Sequence, residues 1–262
     1  MSDKVEYGAR GILGLVVPQA NTTTEPEVNV LLGADLAVLV ARMTSRAPTL
    51  QERLEHYVER IESYFDTYGE APLNGAGFLI TGSTYRMAHD EEDAFFAALG
   101  KKRGYPIVSA GQSIRRAFAA LGAKRVGLVS PYPDWLTERS LDYWKRAGMN
   151  IVGVEKPESP GGFHAIYTIR GASVLAAARR VAAKKPDVIL LAGAGMATLG
   201  TIIHMAEEGM PAMSSNVCMA WQMELMGKNA GDGAALLRRW LSKGAAWQAL
   251  LKERFPAAIL PG

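Results

Sequence analysis

Residues 14–21 read GLVVPQAN and residues 127–134 read GLVSPYPD. Each is a short apolar run that ends in proline and polar residues, as a strand buried on both faces does when it leaves a sheet. The correspondence continues in the same order. FLITGST (78–84) answers ILLAGAG (189–195), and YPIVSAGQS (105–113) answers MPAMSSNVC (210–218). An offset of about 111 residues relates the halves, which implies duplication of one α/β unit and two lobes about a pseudo-twofold axis.

Working outward, strand-length apolar runs recur at Gly11–Val17, Leu36–Ala41, Gly77–Thr81, Pro106–Ser109, Val126–Ser130, Ile151–Val154, Val188–Ala192 and Pro211–Ser214. Amphipathic stretches lie between them, at Leu50–Thr67, Glu91–Lys101, Ser113–Leu121, Trp135–Ala147 and Ala172–Lys185. Strand and helix in alternation predict an α/β fold with parallel sheets. Each duplicated block then ends at the carboxyl edge of a sheet, where open α/β folds place ligands. If the lobes face each other, the loops after Val17, Thr81, Ser130, Ala192 and Ser214 line one interlobe cleft.

Composition narrows the chemistry. The chain has 262 residues, 29 basic and 26 acidic, and its one cysteine excludes a disulfide framework or a Cys-rich zinc site. His56, His89, His164 and His204 are too scattered for a metal cluster, so no metal is expected. Basic and acidic residues are interleaved, which argues against a nucleic-acid partner. Residues 1–10 lack the apolar core of a signal peptide, and no apolar run approaches the roughly 20 residues that span a bilayer. A cytoplasmic protein without a membrane partner is expected.

The cleft loops carry the candidate site residues. In the run from Pro18 to Pro26, Asn21 is a candidate ligand for a carboxylate, and Thr24 is expected to cap the following helix. Gly82 permits close backbone approach, and Ser83 and Thr84 after it offer hydroxyl and N–H donors for an oxyanion. The matching loop, Gly193-Ala194-Gly195, contributes only backbone. Neither glycine loop is a nucleotide fingerprint, so no cofactor is expected. Tyr132, fixed between Pro131 and Pro133, is a rigid phenol suited to the same oxyanion. Asn216 either binds a carboxylate or belongs to a helix cap. His164, after the Gly-rich run 159–163, is the best-placed histidine for proton transfer, and Cys218 reads as a packed thiol.

The blocks GLVVPQANTTTEPE, FLITGSTY, VGLVSPYPDWL, ILLAGAGMATL and PAMSSNVCMAW cover most of the chain in order. Together they resemble the Asp/Glu racemase superfamily, in its branch of maleate cis-trans isomerases and arylmalonate decarboxylases. The opening block is similar to the isomerases, and Gly82-Ser83-Thr84 to the decarboxylase loop. The resemblance implies two pseudo-symmetric Rossmann-like lobes: residues 1–114 plus 216–262 in the first, whose terminal stretch packs back on it, and 115–215 in the second. It also implies an interlobe pocket for a small carboxylate and no metal or organic cofactor.

Isomerases of this group use two cysteines at the symmetric strand ends, and the decarboxylases keep only the second. Those positions correspond to Gly82 and Gly193 here. Two-thiol chemistry is therefore excluded, while Ser83, Thr84 and Tyr132 match oxyanion positions and Asn21 and Asn216 match carboxylate-binding ones. The expectation is a cofactor-independent lyase, a decarboxylase acting through an enediolate. The proton would come from His164 or from water in space freed by Gly193. An isomerase-like relative or a hydrolase with a non-cysteine acid/base, and a non-catalytic carboxylate-binding protein, stay open. A small carboxylate is the expected partner, and a homo-oligomer is compatible with these features.

Overall fold

A computed structural model describes residues 6–161 and 165–261. Its strands are β1 (Gly11–Pro18), β2 (Leu36–Met43), β3 (Gly75–Phe78), β4 (Ile107–Ser109), β5 (Arg125–Val129), β6 (Asn150–Glu155), β7 (Val188–Leu191) and β8 (Ala212–Ser214). All eight expected strand runs are present. The first four pair in the order β2-β1-β3-β4 and the second four in the order β6-β5-β7-β8, every pair parallel. The second sheet thus repeats the first with each strand advanced by four, the topology that duplication requires.

The helices are α1 (Thr24–Leu31), α2 (Leu50–Glu59), α3 (Ile61–Asp66), α4 (Thr81–Thr84), α5 (His89–Arg103), α6 (Ala110–Leu121), α7 (Asp134–Arg146), α8 (Gly171–Ala182), α9 (Leu199–Glu207), α10 (Ser215–Met226), α11 (Gly233–Trp240) and α12 (Ala246–Arg254). Two expectations are corrected here. The stretch expected as one helix over 50–67 is broken at Arg60, whose backbone leaves helical geometry between α2 and α3. Thr81 opens a turn of helix rather than ending a strand. Among the described residues no helix is long and apolar enough to cross a membrane.

Local chemistry explains the joints. Ser109 and Ser214 end the equivalent strands β4 and β8, and each hydroxyl accepts the N–H three residues on, from Gln112 and Val217. Within the run Ser214-Ser215-Asn216, it is Ser214 that caps α10. The central strands β1, β3, β5 and β7 are almost wholly buried, whereas the edge strands β2 and β6 are half exposed. Helix α10 crosses β1 and β3 of the first sheet. It comes so close that a Cβ on Gly77 would lie 2.3 Å from Met219 Sδ, so glycine there sets the helix-to-sheet distance.

One hydrophobic core runs through both sheets, from Leu13 and Leu15 to Leu190 and Trp221, and a second fills the outer face of the first sheet around Tyr57, Phe65 and Phe78. The terminal stretch touches both lobes. Helix α12 packs on α1, while the Ala258 carbonyl and the Leu260 side chain close over Gly200 and Gly171, and the Leu260 carbonyl meets His204 Nε2 at 3.1 Å. The stretch expected to pack back on the first lobe thus also reaches the second.

Polar contacts lock the lobes at two places. The fully buried Glu92 of α5 accepts from Ser109 Oγ (2.5 Å) and from the Tyr143 hydroxyl of α7. On the other side Glu27 of α1 reaches the start of α9. It accepts from the Thr198 N–H (2.6 Å) and Leu199 N–H (3.2 Å), and from Asn216 Nδ2 (2.7 Å). These are N–H groups that a helix start leaves unmet.

Candidate active site

In each sheet the strand order reverses beside the first strand, between β1 and β3 and between β5 and β7. A cavity of about 140 Å³ lies where these two switch points meet. The loop after β1 supplies Pro18, Ala20 and Asn21, and that after β3 supplies Ile80, Thr81 and Gly82. Pro131, Tyr132 and Pro133 follow β5, and Gly193, Ala194 and Gly195 follow β7. The fifth loop expected in the cleft, after Ser214, contributes nothing to the wall. It is replaced by Leu50, Arg53, Leu54 and Tyr57 of α2, by Leu136 of α7 and by Ala165, Ile166 and Tyr167.

Tyr132 lines the cavity. Its ring is half-buried in the wall, its hydroxyl lies 2.6 Å from Thr81 Oγ1, and the Tyr85 ring packs edge-on against it at 6.2 Å. Burial pushes the phenol up to about 12, against the opposing pull of the Thr81 hydroxyl. Tyr132 is therefore a neutral hydrogen-bond donor across the physiological range.

The hydroxyls of Ser83 and Thr84 are corrected. Ser83 Oγ donates to the Leu54 carbonyl (3.1 Å) and Thr84 Oγ1 to the Thr81 carbonyl (3.3 Å). Both residues are fully buried and neither forms part of the wall. Residues two apart on a helical turn point to roughly opposite sides, so beginning the turn at Thr81 turns Thr81 to the cavity and Ser83 onto α2. Thr81 is thus the hydroxyl that the sequence reading missed. The leading N–H groups of that turn have no intrahelical acceptor.

Asn21 and Asn216 are both spent on holding the opposite loop. Asn21 Oδ1 accepts the N–H groups of Thr23 and Thr24, and its Nδ2 donates to Thr24 Oγ1 (2.9 Å) and the Ala194 carbonyl (3.2 Å). Asn21 lines the cavity, but Asn216 does not. The Asn216 amide donates to Glu27 and to the Ala194 carbonyl (3.2 Å), and its oxygen lies 3.2 Å from the Thr24 hydroxyl, whose one proton it shares with that carbonyl. Its assignment as a carboxylate ligand is corrected: both N–H groups of its amide are already taken. Thr24 likewise bridges to Ala194 (3.1 Å) instead of capping α1, a task that falls to Asn21.

Three donors therefore converge on the Ala194 carbonyl, and Thr23 Oγ1 holds the Gly195 carbonyl at 2.8 Å. Because the peptide is planar and trans, the Gly195 N–H points away from the three donors that hold Ala194. Gly193 sits at φ +89°, in the left-handed region. A Cβ there would lie 2.9 Å from Ile166 Cδ1 and 3.0 Å from Pro131 Cγ. The space expected to be freed at Gly193 is filled by those side chains. At Gly82 a Cβ would meet Leu54 at 3.3 Å and Leu136 at 3.4 Å, a tight fit that a small shift of the Leu54 side chain would relieve. Gly193→Ala is accordingly expected to destabilise the protein by about 1–3 kcal/mol and Gly82→Ala by less. Urea unfolding of the two variants checks the order.

Cys218 is fully buried in α10, outside the wall, and burial pushes its thiol far above the ordinary range. His164 lies outside the described residues. Among the described residues that line the cavity, Arg53 is the one charged side chain. The sequence reading missed it, although Leu50, Arg53, Leu54 and Tyr57 stand at i, i+3, i+4 and i+7. An arginine inside the apolar stripe of an amphipathic helix was the available signal.

Fold and cavity together define a class: two duplicated parallel α/β lobes closing their strand ends around a shared cavity. The family model for arylmalonate decarboxylase matches residues 13–236. The chain belongs to the arylmalonate decarboxylase family, a family of enzymes whose relatives are decarboxylases and isomerases. It is 24% identical over 238 residues to the maleate isomerase of Pseudomonas putida, covering 80% of this chain and 89% of that one. Its fold is similar to that of Nocardia farcinica maleate cis-trans isomerase bearing a covalent succinylcysteine intermediate. The TM-score is 0.74 at 24% identity, over 87% of this chain and 98% of that one. Crystalline arylmalonate decarboxylase matches with a TM-score of 0.70 at 20% identity, over 85% and 96%.

Proposed function

We propose that this protein is a cofactor-independent lyase that decarboxylates a small activated carboxylic acid through an enediolate. The observation that carries the reading is the Thr81–Tyr132 hydroxyl pair, 2.6 Å apart, at the wall of a chamber otherwise lined mainly by leucine, isoleucine, proline and tyrosine side chains. In the reaction the bond between the α-carbon and one carboxylate breaks and carbon dioxide leaves. The electron pair passes into the remaining carboxyl group as an enediolate. Tyr132 O–H, oriented by Thr81, and the leading N–H groups of the 81–84 turn meet the growing oxyanion charge. Carbon dioxide is neutral, so Leu50, Leu54, Ile80 and Leu136 favour its formation over retention of the carboxylate. Water or His164 then returns a proton to the α-carbon.

Decarboxylation is favoured over thiol-mediated isomerisation by the placement of Cys218. A succinylcysteine intermediate needs an accessible thiolate, and this thiol is buried away from the wall with its ionisation suppressed. Cys218→Ser is therefore expected to leave turnover unchanged, and the native protein to resist a thiol-alkylating reagent until it is unfolded.

Proton NMR in deuterium oxide tests the reading on a panel of malonate derivatives and maleate. Decarboxylation gives an α-deuterated monoacid and carbon dioxide. A product heavier by one water would assign a hydrolase, and fumarate formation lost in Cys218→Ser would assign an isomerase. Tight binding without any consumption would leave a carboxylate-binding protein.

A further inference from the structure

A second tyrosine stands behind Tyr132. Tyr85 follows the 81–84 turn, and its N–H bonds the Thr81 carbonyl at 3.2 Å. Its side chain is buried (2% exposed) outside the cavity wall, and among the described residues its hydroxyl has no hydrogen-bond partner. Aromatic rings enclose it: Tyr132 edge-on at 6.2 Å, Tyr143 at 5.3 Å and Trp144 edge-on at 5.7 Å. Trp144 has only an N–H to offer, and the Tyr143 hydroxyl is taken up by Glu92 and by Arg115 Nε (3.3 Å). The Thr81 and Tyr132 hydroxyls, by contrast, stand near enough to act on the ionisation of Tyr85. Burial pushes the Tyr85 phenol well above its ordinary range, and Tyr85 in turn opposes the rise that burial imposes on Tyr132. That is the sense in which a donor acts on its acceptor.

A buried donor left unmet is costly, and the acceptor closest to hand is an oxygen of the Thr81–Tyr132 pair. A hydroxyl donates one proton and can also accept, so a row of hydroxyls can run its protons toward the cavity or away from it. The 2.6 Å contact between Thr81 and Tyr132 fits either direction. Tyr85 sits at the closed end of the row, with no acceptor behind it among the described residues. Its proton therefore goes forward, to Tyr132 itself or to Thr81, whose own proton then goes to Tyr132. By either route the Tyr132 oxygen receives, and the Tyr132 proton is left for the cavity. Resting on the lyase reading for the charge that this proton meets, we infer that Tyr85 is a positioning residue: it donates into the Thr81–Tyr132 pair and turns the Tyr132 O–H toward the substrate oxyanion.

The hydrogen bond is tested without turnover. A fluorinated tyrosine placed at position 132 ionises at lower pH than ordinary tyrosines, so its absorbance titrates alone. Removing the Tyr85 donor by Tyr85→Phe is expected to raise its midpoint by about one pH unit. The ring and its packing are kept, so a role limited to filling the core would leave the midpoint where it was. With the native Tyr132 in place, Tyr85→Phe should lower kcat about ten-fold with KM unchanged. In the Tyr132→Phe background it should cost nothing further, because Tyr85 acts only through Tyr132.

An unmoved midpoint would overturn the inference, as would an unchanged kcat or an equal further loss in the Tyr132→Phe protein. Circular dichroism and thermal melting verify that each variant is folded. If Tyr85→Phe fails to fold, para-fluorophenylalanine at position 85 carries the same comparison, since it keeps the size of the hydroxyl but has no proton to give. A raised midpoint without carbon dioxide release from any acid would remove the lyase reading and keep the Tyr85 donor. Decarboxylation with an unmoved midpoint would do the reverse.

Discussion

Tyr132→Phe is expected to lower kcat by about 10²- to 10³-fold while the protein keeps its fold. The substitution removes one oxygen from a half-buried ring whose edge contact with Tyr85 is retained. The donor it removes is enclosed, neutral and aimed by Thr81 at 2.6 Å. Such a donor contributes most where charge develops, so the loss falls on kcat and leaves ligand binding nearly unchanged. Thr81→Val should reproduce part of the effect by freeing the Tyr132 hydroxyl to rotate. The double variant should then cost little more than Tyr132→Phe, because the two act as one unit. With its phenol held up to about 12, Tyr132 places no basic limb on the pH–rate profile below about pH 10. Steady-state kinetics on the best acid of the panel checks each of these statements. Unchanged kcat in Tyr132→Phe would remove the oxyanion role.

The contrast between Tyr132 and its neighbours shows what the sequence can reveal. The fold was legible because buried parallel strands are continuous apolar runs, and because the duplication repeats the strand ends in order. The loops at the switch points were legible for the same reason. What failed was the direction of individual side chains. Ser83 and Thr84 have the composition of an oxyanion loop, but their hydroxyls depend on where the helical turn begins, and a shift of two residues passes the role to Thr81. Tyr132 escaped this ambiguity because prolines on both sides fix its backbone. Asn21 and Asn216 look like ligand amides, and only the tertiary contact with the Ala194 carbonyl shows that they are already satisfied. Arg53 lies on a helix remote from the duplicated blocks, so symmetry gave no reason to notice it.

Glu27→Ala is expected to destabilise the protein by on the order of 4 kcal/mol, because it strips two helices of one shared acceptor. The Glu27 carboxylate is buried and receives the first N–H groups of α9 together with the Asn216 amide. Truncation leaves those donors unmet in the interior and a cavity where the side chain was. Because Asn216 also holds the Ala194 carbonyl, the glycine loop of the cavity should loosen, and activity should fall in the residual folded fraction. The pH dependence follows from the same burial. Desolvation raises the Glu27 carboxyl above its ordinary value of 4.5, more than the bonds from Thr198, Leu199 and Asn216 lower it. Between 4.5 and the raised value, the native state holds a proton that the unfolded chain has released. Stability from this group is therefore fully present below the lower value and declines as pH rises through the interval. Glu27→Gln keeps the shape but cannot titrate. Urea unfolding of both proteins from acid to neutral pH should show the wild-type advantage over Glu27→Gln shrinking as pH rises. An advantage that grew with pH would mean that the N–H donors outweigh desolvation and that the carboxylate is ionised throughout.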